Sequence, residues 1–459
     1  MYALTQAGTG SRPPARRPYS RQAVPRTAAR APAAPDLEEE PSMQLIRRTV
    51  AVTVTAATAA GALLLSACGG DSGGQTAADE KQTLTVWGMG EEGKHLQELG
   101  EEFGKKYPNI DVKVTPVGWD VVHQKLVSAV AAGELPDMAQ MGSTMVGEFT
   151  SLDALEPVDT KTFRKADFFP AAWAGNVTDG TAYGVPWYVD TRVLYYRTDL
   201  AAEAGVGKAP ANWREQRALA AAYKDKAGTE WGTYHQPSGI GAWQTWLPFL
   251  YSAGGRLLDK HGEPALDSPE SVRALSEYAH YYDKGLSTKS SPPGYDVVKD
   301  FASGKAPMFV SGPWMVNNIQ DQHPGLKGKW KAAPLPADKT STSFVGGSSL
   351  VTFADSGHKA AAKKFTEYLT SPAEQADWYG MARSLPAVEA AWDEPELTRA
   401  EGLDVFEKQL RTSEPVPALS RWEEFAAKID EAVARVAQKG EDPAKTAAWL
   451  QKATESLVD

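Results

Sequence analysis

The residues with the strongest claim to chemistry are fourteen tryptophans, a single cysteine and two glycine strings in a chain of 459 residues. Gly88-Met89-Gly90-Glu91-Glu92-Gly93 has the spacing of the dinucleotide fingerprint, follows a strand pattern and opens a helix pattern. The next strand pattern, however, runs out at Thr115-Pro116 without the acid that would hold a ribose, so half of that site is missing. Gly70-Asp71-Ser72-Gly73-Gly74 fits both the nucleophile-elbow and the serine-protease strings. It stands in a Gly-, Ser- and Asp-rich stretch that has no framework for an oxyanion hole. The seven histidines, from His95 to His358, never fall within one helical turn of each other, and no second cysteine accompanies them. A zinc site is therefore not expected, nor is a calcium loop with alternating acids, and no metal or cofactor is called for.

Tryptophan remains. A pyranose ring has an apolar face that stacks on Trp or Tyr and a rim of hydroxyls that takes forked partners such as Asp, Glu, Gln and Arg. All fourteen tryptophans follow Cys68, a heavy load of such surfaces, of which core packing should claim about half. A sugar-binding protein and a secreted glycosidase both fit that supply. The glycosidase needs two carboxylates facing each other across the sugar, and no local motif singles out a pair.

The N-terminus sets the compartment. Arg47 and Arg48 precede an uncharged run from Thr49 to Ala67 that closes on Leu65-Ser66-Ala67-Cys68, the order of a signal peptide. The ending resembles the bacterial lipobox, which implies that Cys68 is lipidated and becomes the first mature residue. With the only thiol consumed, the fold has no disulfide and stands on its core. Upstream, Met1 to Ser42 is rich in Arg, Pro and Ala and poor in bulky apolar residues, so it is not expected to fold; Met43 stands where a signal peptide would start. Arg47-Arg48 is open to Sec or twin-arginine export. Eight arginines and four acids precede Cys68, leaving 40 basic against 54 acidic residues in the mature chain. A surface so acidic lacks the footprint of a nucleic-acid binder.

Residues 1–67 thus read as an upstream extension plus signal peptide and residues 68–82 as a flexible Gly/Ser/Gln-rich tether. The rest is too long for a single core, so two lobes are expected. Strand patterns at Thr83–Trp87, Ile110–Val117 and Pro136–Gln140 alternate with helix patterns at Gly93–Tyr107 and around Val121–Val130. This βαβαβ order predicts a parallel sheet with helices on its faces and ligand contacts beyond the carboxyl ends of the strands. Tyr183 to Asp199 reads as a long apolar strand with its leading turn, followed by helices, a strand at Ala306–Val310 and another at Phe344–Val351. The last part is helical, at His358–Leu369, Pro372–Tyr379 and Trp422–Lys439.

The strings TVWG, YPNIDVKVTPVGWD, GELPDMAQMGSTMVGEF, YGVPWYVDTRVLYYRTDL, ASGKAPMFVSGPW, PLPADKTSTSFVGGSSLVTF and KKFTEYLTSPAEQADW occur in that order. Together they resemble the family 1 extracellular solute-binding proteins, the maltose-binding-protein-like group of ABC importers, from Thr83 to the C-terminus. The resemblance implies an α/β, two-lobe periplasmic-binding-protein type II fold, with lobe 1 from 83–190 and 337–385 and lobe 2 from 191–336 and 386–459. It implies no enzyme but a monomeric receptor, lipid-anchored on the outer face of the cytoplasmic membrane. The receptor would hold a short oligosaccharide and deliver it to ABC permease subunits served by a separate cytoplasmic ATPase. Its expected contacts are Trp87 and Glu91 after the first strand and Ser143 and Thr144 after the third. Trp187, Asp190 and Arg192 fall at the first crossing between lobes, where the Asp190–Arg192 pair could equally brace the hinge. Trp243 and Gln244 follow a Gly-Ile-Gly loop, Trp314 closes the family's Gly-Pro-Trp string as its stacking residue, Gly346 and Gly347 allow close backbone approach, and Arg383 offers a hydroxyl fork. Trp119 and Trp422 are weaker candidates, with core packing the simpler account of both.

Overall fold

The computed structural model describes residues 80–90, 92–292, 294–400 and 402–458. The signal peptide, Cys68, most of the tether and Glu91 lie outside the described residues.

The chain opens with β1 (Gln82–Met89), β2 (Ile110–Val117) and β3 (Met138–Gly142). β1 pairs in parallel with both others, as the alternating strand and helix patterns predict. β1 runs two residues further at its C-terminal end than expected, so Trp87 sits inside the strand rather than past its end. Gly88 and Gly93 explain the fingerprint-like glycines: a Cβ on Gly88 would come 2.6 Å from the Gly93 Cα, and one on Gly93 would come 2.7 Å from the Gly88 carbonyl oxygen. Both glycines serve the close approach of β1 to helix Glu92–Lys106.

After the small hairpin of β4 (Val177–Thr178) and β5 (Thr181–Ala182) comes the principal departure from expectation. The long apolar run is two strands, β6 (Val185–Asp190) and β7 (Val193–Arg197), and they belong to different sheets. Asp199, expected at the strand's end, already lies in helix Thr198–Glu203. β7 pairs antiparallel with β8 (Met308–Ser311) and β9 (Trp330–Ala333) in a three-stranded sheet. β6 pairs antiparallel with β10 (Phe344–Thr352), which also runs against β3, and with β11 (Leu385–Pro386). The short β12 (Glu414–Pro415) adds in parallel to the start of β10, completing a seven-stranded mixed sheet.

The large sheet buries both faces. Leu84, Val86, Leu96, Phe103, Trp187, Phe365 and Trp378 fill one side. Met89, Val122, Leu126, Met141, Phe149 and Phe353 fill the other. The second lobe is mainly helical, with Trp243–Ser252, Pro269–Asp283, Trp422–Ala437 and Pro443–Thr454 packed on one another around Trp246, Tyr278, Ile429 and Leu450. Asn212, Ser268 and Asp442 cap helix starts by accepting the N–H of the residue three further on.

The chain crosses between the sheets at Thr191–Arg192 and at Ser343–Phe344, and from Ser413–Glu414 it leaves the large sheet for the last helices; the three crossings are laced together. Thr191 Oγ1 donates to the Phe344 carbonyl at 3.0 Å and lies 3.0 Å from Ser413 Oγ. Arg192 N–H donates to Ser343 Oγ at 3.1 Å, and Glu414 N–H to the Ser343 carbonyl at 2.9 Å. These contacts bury small hydroxyls where bulky side chains would block three backbones from meeting. Among the described residues no helix is long and apolar enough to cross a membrane.

Candidate functional site

Beyond the carboxyl ends of the first parallel strands the backbone ladder stops, and an aromatic platform stands at that edge. Trp119, just past β2, lies by the ends of β1 and β3. A Cβ on Gly90 would sit 2.8 Å from its Cδ1, and one on Gly142 3.5 Å from its Cζ3. Gly90 also has φ +56°, so both conformation and space require glycine there. Trp119 keeps 40 % of its surface in solvent, which corrects the expectation that it is core.

Below it is a buried polar junction. Tyr188 O–H donates to Glu92 Oε1 at 3.2 Å and accepts from Gln140 Nε2 at 3.3 Å and Ser348 Oγ at 3.1 Å. Gln140 Oε1 accepts the Met89 N–H at 2.7 Å, which fixes the amide's orientation. Burial and the neighbouring Glu92 carboxylate push the Tyr188 phenol well above its ordinary value, so it stays protonated.

The second lobe supplies Trp314, the first residue of helix Trp314–Gln322, at the end of β8. Its ring lies so close over Gly312 that any side chain there would collide with it. The Arg192 guanidinium lies 4.9 Å from the Trp314 ring centroid and 4.8 Å from that of Phe344. The rest of Trp314 is open, at 39 % exposure.

Arg192, only 5 % exposed, is the hub of this region. It pairs with Asp190 Oδ1 at 2.7 Å and donates to Gln244 Oε1. With donors on Asp190 and Gln244 and its plane against the Trp314 and Phe344 rings, it positions the site in the manner of a brace. Gly346 makes room for Asp190, since a Cβ there would be 2.7 Å from Asp190 Oδ1. Gly347, at φ +120°, lets β10 pass the Tyr188 carbonyl and accepts the Ser143 N–H at 3.1 Å. Both glycines thus serve strand crossing.

Ser143, Gly347, Gly346, Asp190, Arg192, Gln244 and Trp314 therefore form one continuous chain of contacts, and Trp119 lies against Gly142, the residue before Ser143. Thr144 is half-buried beside Ser143. Four expected contacts go elsewhere. Trp187 is fully buried, its ring 4.3 Å from that of Trp378, because its position on β6 faces the sheet core. Trp87 is covered by the Lys125 ammonium, 4.3 Å from its centroid. Trp243 packs on Phe344 and Trp422, with centroids at 5.3 and 5.1 Å, and Trp422 is itself core. Arg383 is exposed as the left-handed cap of helix Pro372–Ala382 and lies over Tyr379. Sequence reasoning missed Glu92, Gln140, Tyr188 and Ser348; the glycines at 90 and 142 were the available sign that Trp119 needed space.

Among the described residues no group of three or more His, Cys, Asp or Glu side chains is placed to hold a metal ion. A mixed sheet and a smaller one, joined by three laced crossings with an aromatic platform at the strand ends of each, define the two-lobe class of solute receptors. The sequence profile of the bacterial extracellular solute-binding proteins matches residues 87–376, and the chain belongs to that family. The sugar-binding protein MalE of Xanthomonas citri is similar to it, with a TM-score of 0.77 and 34 % identity over 82 % of this chain and 97 % of that one. The GacH receptor of Streptomyces glaucescens, solved unliganded and with acarbose, has a TM-score of 0.73 and 26 % identity over 82 % and 98 %. The galactooligosaccharide-binding protein of Bacillus subtilis is 24 % identical over 84 % of this chain and 92 % of its own.

Proposed function

We propose that the protein captures a short oligosaccharide between its lobes and delivers it to the permease subunits of an ABC importer powered by a separate ATPase. The observation that carries this reading is the pair of part-exposed tryptophans, Trp119 and Trp314, at strand ends of two different sheets, with the Asp190–Arg192–Gln244 chain beside Trp314. Each offers a flat face to a sugar ring, with hydroxyl partners alongside. Similar proteins named for sugar binding support the ligand class. The family consists of binding proteins, which leaves the glycosidase reading without support.

The anchoring part of the proposal rests on sequence: a monomer tethered through lipidated Cys68 to the outer face of the cytoplasmic membrane. The lobes would comprise 83–190 with 337–385 and 191–336 with 386–459. The packing of Val388 and Trp392 on Phe168 and Phe169 argues for moving the last boundary towards Ser413. Closure on a sugar would give the permease a combined surface that the empty receptor lacks. A thermal-shift screen of the purified protein against glucosides, galactosides, chitobiose and xylo-oligosaccharides tests the reading, since a ligand of the folded state raises the melting temperature. No shift with any sugar, together with no released reducing ends, would refute both sugar readings.

A further inference from the structure

The second and third crossings border a cavity of about 320 Å³ that lies apart from the sugar site. Thr340 and Thr342, leading into Ser343, form one side, and Glu414 and Pro415 of β12 continue it. The turn that follows helix Trp243–Ser252, from Gly254 to Leu258, faces them from the second lobe. Trp119, Arg192 and Trp314 are not among the residues that line it.

Both walls are fixed. Tyr251 O–H donates to the Pro415 carbonyl at 2.9 Å, bridging the helix to β12. Ser252 holds the Thr340 carbonyl through its hydroxyl, and the Lys339 and Thr340 N–H groups through its own carbonyl at 3.0 and 3.2 Å. Gly254 turns the chain at φ +79°, and a Cβ on Gly255 would come 2.5 Å from Leu250 Cδ1, so the turn lies flat on the helix it leaves. Buried Leu257 and Pro415 give the cavity apolar surface.

Two charges are left over by this framework. Arg256 and Glu414 both line the cavity and both are exposed, yet among the described residues neither side chain has an ion pair or hydrogen bond, with the other or with anything else. Both act on the Tyr251 phenol, whose pKa burial raises, Glu414 raises further and Arg256 lowers. A single exposed charge is satisfied by water and needs no ligand. A cation and an anion that share one cavity and one tyrosine without meeting leave a gap suited to a molecule that carries both opposite charges.

We propose that this cavity binds a small zwitterion, its carboxylate on Arg256, its ammonium on Glu414 and its carbon chain on Leu257 and Pro415, and that the bound zwitterion alters the receptor's affinity for its sugar. Glu414 and Pro415 belong to the large sheet and the opposing turn to the second lobe, so a molecule held by both favours one spacing of the lobes. Sugar binding draws on the same equilibrium, and linkage makes the effect reciprocal. The second half of the proposal rests on the sugar-receptor reading; the first does not.

Calorimetric titration of the whole protein with 3-aminopropionate, 4-aminobutyrate and 6-aminohexanoate tests the site, with butyrate and butylammonium as single-charge controls. At least one amino acid should bind with a dissociation constant of about 1 mM or tighter, and each control about tenfold more weakly. Arg256→Gln and Glu414→Gln should each weaken that amino acid about tenfold with an unchanged melting temperature, since both side chains are exposed and unpartnered. No binding in the series, controls that bind as well as the amino acids, or full affinity in both variants would overturn the site. The sugar found by thermal shift is then titrated with and without the saturating amino acid. Its affinity should change about threefold or more in the wild-type protein and stay within about twofold in Arg256→Gln. An unchanged sugar affinity would overturn the regulatory half and leave the site. Failure of every sugar to bind would remove the sugar reading and that half with it, while the amino-acid titration would still decide the site.

Discussion

Trp314→Ala separates the two tasks a tryptophan can perform at a strand end. The ring rests on Gly312 and beside the Arg192 guanidinium, and 39 % of the residue remains in solvent. Truncating a fully buried tryptophan costs ~3 to 5 kcal/mol of folding stability. With about three fifths of this one covered, the expected loss is about 2 kcal/mol, or a few degrees of melting temperature in a chain of this size. The open face is worth about 1.5 to 3 kcal/mol to a stacked sugar, a tenfold to hundredfold change in dissociation constant. Calorimetric titration with a sugar found in the thermal-shift screen reads the second effect, and a urea melt reads the first. Trp314→Phe should recover part of the binding, since a smaller ring still offers a face. Wild-type affinity in Trp314→Ala would refute the reasoning and leave Trp119 as the principal platform; a large fall in stability with unchanged affinity would make Trp314 a core residue.

Arg192→Met should do the reverse, costing about 3 kcal/mol of stability because Asp190 loses its partner inside a nearly dry junction; an unchanged urea midpoint would remove Arg192 as the hub. Asp137 should carry part of the acid sensitivity. Burial works to raise its pKa, but hydrogen bonds from Thr85, His358 and Ser356 outweigh it and hold the carboxyl below its ordinary value of 3.8. The stability this contributes is present above that value and is lost as pH falls through the lower, folded-state value, so Asp137→Asn should flatten the acid limb of the urea midpoint against pH; an unaltered limb would sink the assignment. Cys68→Ala should move the protein out of the membrane fraction or leave its signal uncleaved, and membrane retention after correct processing would count against the lipid anchor.

The first parallel strands were readable because their apolar residues alternate with helix patterns of the right period, and Leu84, Val86, Leu96, Leu99 and Phe103 are core as that pattern requires. The break between β6 and β7 falls at Asp190–Thr191–Arg192, a polar step between two runs that are each buried on both faces. Strand periodicity carries no mark there, and the expected change of lobe at 190/191 came from the family resemblance. Trp314 was legible from its Gly-Pro-Trp string, and Arg192 from its charge inside an apolar run. Trp187 was misread for a related reason: in a strand a one-residue step turns the side chain to the other face, and position along the chain does not say which face meets the cleft. Trp119 failed in the opposite sense. A tryptophan after a strand is ordinarily core, and only the absence of side chains at Gly90 and Gly142, far apart in sequence, makes room for it at the edge.

The three crossings give that edge its meaning. Arg192 is tied by its backbone N–H to Ser343 in one crossing, while its side chain reaches Asp190 in the first lobe and Gln244 and Trp314 in the second. A lysine could supply the charge but not the planar fork and stacking face that these partners use together. The residue before it, Thr191, contacts Phe344 and Ser413, so two consecutive positions engage all three crossings. A group that presses on Trp314 is thus one side chain away from the lacing between the sheets. Closure of a clamp requires that the ligand contact and the pivot share such a connection, because a ligand shifts the balance between open and closed forms only through contacts that differ between them. Placing the charged residue of the site directly at the crossing meets that requirement with the shortest path the fold offers.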